Sequence, residues 1–169
     1  MAYKIEQPKV QAIRIRGEGL VDPVTCYLED PQPGHGSLAL VTFDGAWHAY
    51  WPAMGDRTVQ QFLMDAGVEY ISRKLWPSER TDIDFDAMYN AAVKWIKKNA
   101  KPEHAEELLE AAVDIQTWST EAEMENQLLN RVLGPDWYMD IPVRLKWSVR
   151  HMNEAIQAMK DAFKEMADG

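Results

Sequence analysis

Hydrophobic and polar positions alternate along the first third of the chain and recur at helical spacing along the rest. In residues 10–16, Ile13 and Ile15 fall on one side and Arg14 and Arg16 on the other, the period-two pattern of a strand with one buried and one solvated face. Gly17 and Gly19 end it. Residues 24–29 alternate again, with Val24, Cys26 and Leu28 opposite Thr25, Tyr27 and Glu29. The stretch 30–36, Asp-Pro-Gln-Pro-Gly-His-Gly, is rich in residues that break regular structure. Residues 37–43 and 46–51 form two further β-favouring runs separated by Asp44-Gly45. Such a pair is a strong hairpin signal, because a type I′ turn needs positive φ at both centres. Pro52 stops the fourth run. The pattern predicts a four-stranded antiparallel meander.

The period then changes to that of helices. Thr58 and Gln61 fit a capping box ahead of Val59, Phe62, Leu63 and Ala66. Gly67 interrupts this pattern, which resumes over residues 69–76 until Pro77. A third helix is expected from Asp84 to about Lys98, burying Phe85, Met88, Ala92 and Trp95. A fourth follows Pro102 and buries Leu108, Leu109, Ala112 and Ile115. Thr120 and Glu123 read as a second capping box opening a fifth helix with Met124, Leu128 and Val132, ended by Gly134-Pro135. In residues 143–167, Leu145, Val149, Met152, Ile156, Met159, Phe163 and Met166 recur at spacings of 4, 3, 4, 3, 4 and 3, a heptad seam. It reads as an intramolecular helix pair or as the seam of a homodimer. The methionines favour the first, since Met fills irregular gaps and does not specify register.

The fold class is therefore α+β, with an antiparallel sheet in 1–55, helices in 56–134 and a long helix in 143–167. A length of 169 residues suits one domain able to bury a core without disulfides or metal. Seven tryptophans bring large apolar area. Cys26 is the only cysteine, so no intramolecular disulfide forms. The first residues lack an apolar signal core, and no apolar run approaches the ~20 residues of a membrane span. A cytoplasmic setting without membrane contact is expected.

Charge refines the picture. The net charge is −9, and it is segregated. Between residues 100 and 126, Lys101 faces eight acids: Glu103, Glu106, Glu107, Glu110, Asp114, Glu121, Glu123 and Glu125. Glu103, Glu107, Glu110 and Asp114 share one helix face, with Glu106 flanking them. Such a surface repels phosphate backbones, which disfavours direct nucleic-acid binding, and attracts a basic protein partner. The bland alternative is a solvated face opposite Leu108 and Ala112.

Candidate chemistry is sparse. A Cys26–His48 nucleophile pair would need strands two and four to be neighbours, which a meander does not allow, and no glycine-rich elbow surrounds Cys26. His35, His48, His104 and His151 stand at no metal-ligand spacing from one another. Asp82, Asp84 and Asp86 imitate the start of a calcium loop, but Ala87 and Val93 occupy the required glycine and glutamate positions. Residues 34–37, Gly-His-Gly-Ser, precede a strand and read as a turn, where a phosphate loop would open a helix. No catalytic set, cofactor site or metal site is expected. Trp47 and Trp51 share a sheet face and could stack a small ligand or carbohydrate, although two such indoles more often pack under a helix.

Residues 42–76 contain Phe43, Gly45, Trp47, Ala49, Tyr50, Trp51, Met54, Gly55 and Thr58 in the order F-x-G-x-W-x-A-Y-W-x-x-M-G-x-x-T, followed by an aromatic-rich helix. This segment resembles small accessory proteins of tailed phages and prophages of enterobacteria. The resemblance implies a phage origin and a host-cell setting. In those relatives the helix often carries cysteines; here residues 62–66 are Phe-Leu-Met-Asp-Ala, so no thiol role follows. The expected function is a non-enzymatic protein that binds and inhibits or modulates a host protein, such as a nucleic-acid-handling defence complex of the CRISPR type, through its acidic helical face. The alternatives are a ligand-binding module built on Trp47 and Trp51, and an assembly protein dimerising through the last helix.

Overall fold

The computed structural model describes residues 5, 7–17, 20 and 22–169. Its contacts divide the chain into two compact units, residues 1–80 with 147–169, and residues 81–146. Length alone suggested one domain. The division instead follows two separate cores, and the second unit is inserted between the first unit's sheet-bearing segment and its last helix.

In the first unit, β1 (Val10–Ile15), β2 (Val24–Gln32), β3 (His35–Thr42) and β4 (Gly45–Trp51) form an antiparallel sheet in the order β1-β2-β3-β4. Alternation sets which face is buried. Val24, Cys26 and Leu28 of β2, Leu38 and Leu40 of β3, and Ala49 and Trp51 of β4 lie in the core. The breaker-rich stretch proves shorter than expected. β2 runs on through Asp30-Pro31-Gln32, with a register irregularity between Glu29 and Gln32 that accommodates a proline unable to donate to the ladder. The reversal is confined to Pro33-Gly34, where Gly34 takes φ +76°. A Cβ there would meet the Gly55 carbonyl oxygen, so only glycine fits.

The β3–β4 turn is displaced by one residue from the expected one. Thr42 pairs with Gly45, leaving Phe43 and Asp44 at the centre. Neither has positive φ, and neither does Gly45, so the type I′ expectation fails. Glycine instead stands at the last position of the turn, where a type I turn favours it. Either register keeps the same side chains facing inward, so the inward pattern alone could not choose between them.

Three helices cover the sheet: α1 (Val59–Asp65), α2 (Val68–Leu75) and α6 (Trp147–Asp168). The Thr58–Gln61 capping box is formed in both directions, at 3.3 and 3.0 Å. Asp30 accepts a hydrogen bond from the Val59 amide at 2.6 Å, which fixes the start of α1 to the end of β2. Along α6, Val149, Met152, Ile156, Met159 and Phe163 are buried in this core. Leu145 lies instead on a short strand of the second unit, and Met166 is exposed. The heptad seam is therefore consumed within the chain, and the homodimer reading loses its interface.

The second unit packs α3 (Phe85–Asn99), α4 (Pro102–Ala112) and α5 (Asn126–Leu133) around Phe85, Met88, Ala92, Ile96, Ala112, Ile115, Leu129 and Val132. Asp84 caps α3 by accepting from the Ala87 amide at 3.0 Å. Two features differ from the sequence reading. The Thr120–Glu123 box forms, but it closes only a 3₁₀ turn, and α5 begins three residues later at Asn126. Residues 81–83 and 143–145 pair as an antiparallel ribbon, β5 (Thr81–Ile83) with β6 (Val143–Leu145), so α6 starts at Trp147 and not at Val143. Three-residue strands paired across sixty positions leave no periodic signal.

Candidate functional site

The acidic face lies in the second unit. Pro102 in the first turn sets α4 on its course, and Ala112 with Ile115 just beyond it anchor the apolar side. Glu103, Glu106, Glu107 and Glu110 are all exposed. Asp114 is exposed too, on a 3₁₀ extension of the helix. The five are not equivalent. Glu107 accepts from Arg131 of α5 at 2.7 Å and so braces two helices. Glu103, Glu106, Glu110 and Asp114 have no ion pair among the described residues. Glu123 also serves the fold. Its carboxylate accepts from the Ser119 and Thr120 amides at 2.6 and 2.8 Å and from both hydroxyls, and these bonds hold its pKa below the usual value. The residues of this unit include thirteen acids and seven bases, a net −6.

The aspartates that resembled a calcium loop are engaged otherwise. Asp84 is the α3 cap, Asp82 lies 3.7 Å from Lys146, and Asp86 lies 3.6 Å from Arg144.

Trp47 and Trp51 do share a face, as alternation requires, but it is the core face. Trp51 is 2% exposed and packs on Phe62. Trp47 stacks on Trp76 with ring centroids 6.1 Å apart. The pair presents no open stacking platform, so the ligand-module reading loses its surface. Cys26 and His48 fall on opposite faces of the sheet, Cys26 buried and His48 exposed. Burial pushes the Cys26 thiol up to about 12, the reverse of what a nucleophile needs.

The first unit also holds a cluster of titratable side chains that no sequence motif marks. Asp22 precedes β2, Asp44 sits in the β3–β4 turn, and His151 lies on the second turn of α6. The His151 Nε2 is 3.4 Å from an Asp44 carboxylate oxygen and 3.8 Å from one of Asp22. Its Nδ1 is 3.7 Å from Glu154. Trp147, one turn earlier, stacks flat on the imidazole at 5.0 Å and 7°. No short motif marks this set, because its members are 22 and 107 positions apart in sequence. A subtler signal exists. Asp22 continues the inward row of Val24, Cys26 and Leu28, and Asp44 continues that of Leu38, Leu40 and Thr42. A carboxylate at the end of each of two inward rows is where polar side chains can converge.

The chain is thus an α+β protein of two compact units with an acidic helical face on the second. A family model described as a phage family, Phage_phiTE_072, matches residues 3–165, and the chain belongs to that family. No curated protein and no solved structure matches it. Among the described residues, no helix is long and apolar enough to cross a membrane.

Proposed function

We propose that this phage protein is non-enzymatic and binds a host protein in the host cytoplasm through the acidic face of α4. The partner would carry a basic surface, as nucleic-acid-handling defence complexes of the CRISPR type do. The observation that carries this reading is the row of exposed carboxylates at Glu103, Glu106 and Glu110, extended by Asp114, none of them in an ion pair among the described residues. Like charges at helical spacing cost the helix a few tenths of a kcal/mol per pair, and among the described residues the one base paired with this helix, Arg131, is engaged by Glu107. A complementary basic surface would convert that repulsion into attraction and into faster association.

The test is capture of partners from host lysate at low salt by the full chain, alongside a Glu103→Lys, Glu106→Lys, Glu110→Lys variant. The expected result is a specific partner with a basic surface, released as salt rises and lost in the variant. A partner retained equally by the variant would overturn the assignment of this face. Recovery of no specific partner would overturn the reading as a whole.

A further inference from the structure

The Asp22–Asp44–His151 cluster has a property that ion pairing alone does not explain. His151 is 7% exposed, and its Nε2 is fully buried without a hydrogen-bond partner among the described residues. The two carboxylates stand near that nitrogen, yet neither contact has hydrogen-bond geometry. A buried polar atom left in this way is costly. The three ligating atoms all lie within 4.8 Å of one another. Thr42, on the inward row that ends at Asp44, also has a buried hydroxyl without a hydrogen-bond partner among the described residues. Arg16 shares a surface hollow with Asp22, but makes no ion pair with it among the described residues.

We infer that Asp22, Asp44 and His151 form a site for a divalent transition-metal cation, of which zinc is the type. Two carboxylates and a neutral imidazole offset the charge of one divalent ion. A nitrogen donor selects against magnesium and calcium, which prefer all-oxygen shells. With metal–ligand bonds of about 2.0–2.2 Å, a tetrahedral shell places donors roughly 3.4 Å apart. The His151–Asp44 separation of 3.4 Å already matches, and Asp22 lies in a bend before its strand and can close the remainder. Glu154 faces the other ring nitrogen, the place from which a carboxylate orients a ligating histidine. Trp147 fixes the ring plane. A bound ion would tie the start of β2, the β3–β4 turn and α6 together. The site belongs to the first unit and is independent of the acidic face proposed above.

The test is titration of chelator-treated full-length protein with Zn²⁺ by calorimetry, with Co²⁺ absorption to report tetrahedral coordination and Mg²⁺ as comparator. The expected result is one Zn²⁺ per chain with a Kd in the micromolar range or tighter, and no Mg²⁺ uptake. Thermal stability should rise by about 5 °C at roughly 100-fold excess over Kd. Asp22→Asn and Asp44→Asn should each weaken binding about tenfold or more, and the double variant should abolish both binding and the thermal shift. Asn is tolerated in the Asp44 turn, so these variants keep the fold even where His151→Gln does not. His48→Ala, altering an exposed histidine of the outer sheet face, should bind as the parent does. Absence of saturable Zn²⁺ binding would overturn the site, and so would binding that survives in the double variant.

Discussion

Cys26 illustrates how one buried side chain links the sheet to solution behaviour. It pairs with Leu40 in the centre of the sheet and is fully buried. Its thiol is raised from 9.0 to about 12 by loss of solvent. A group raised in the fold contributes its full stability below the unfolded value and loses it as pH climbs toward the folded one. Between pH 9 and 12 the unfolded chain releases this proton while the folded chain keeps it, so stability falls across that window by up to ~1.4 kcal/mol per pH unit. Urea denaturation of the parent and of Cys26→Ala tests this. The variant should be less stable at pH 8 because of its cavity, and the gap should narrow by about 1 kcal/mol between pH 9 and 10. A thiol reagent should label Cys26 only in denaturant.

At the scale of elements, α6 decides between two readings of one pattern. Its seam residues Val149, Met152, Ile156, Met159 and Phe163 pack under the sheet and against α1 and α2. Lys160, on the same helix, is also largely buried and donates to the Ala66 carbonyl at the end of α1, which further fits this helix to its own chain. Ile156→Ala should therefore cost about 2–5 kcal/mol and leave the sedimentation coefficient unchanged. A seam between two copies would instead show as a drop in mass. Strands β1 to β4 and helices α1, α3 and α4 were legible in the sequence because alternation, caps and Pro102 pointed the same way. The turn register at Phe43-Asp44 was not, since inward alternation is satisfied by either register. The ribbon of β5 and β6 was not either, because pairing between Ile83 and Val143 is a property of the folded unit. The acidic face was legible as charge, but not the diversion of Glu107 to Arg131 and of Glu123 to the Ser119–Thr120 turn. Asp22, Asp44 and His151 escaped for the same reason as the ribbon: only the fold brings them together.

On the scale of the whole molecule, residues 81–146 have the construction of an inserted unit. Their core is separate, and the β5–β6 ribbon sets Thr81 opposite Leu145, so the chain enters and leaves the unit at neighbouring points. Paired ends of this kind mark segments that fold on their own, although a segment of this length lies near the lower limit for an unaided core. Residues 81–146 expressed alone should give a helical circular dichroism spectrum, a cooperative thermal transition and a dispersed amide NMR spectrum. Collapsed amide dispersion without a cooperative transition would mean that this core depends on the rest of the chain. The same fragment separates the two sites. It carries Glu103, Glu106, Glu110 and Asp114 but none of Asp22, Asp44 and His151. On the two proposals above, it should bind the partner in a salt-sensitive way and lack the proposed zinc site.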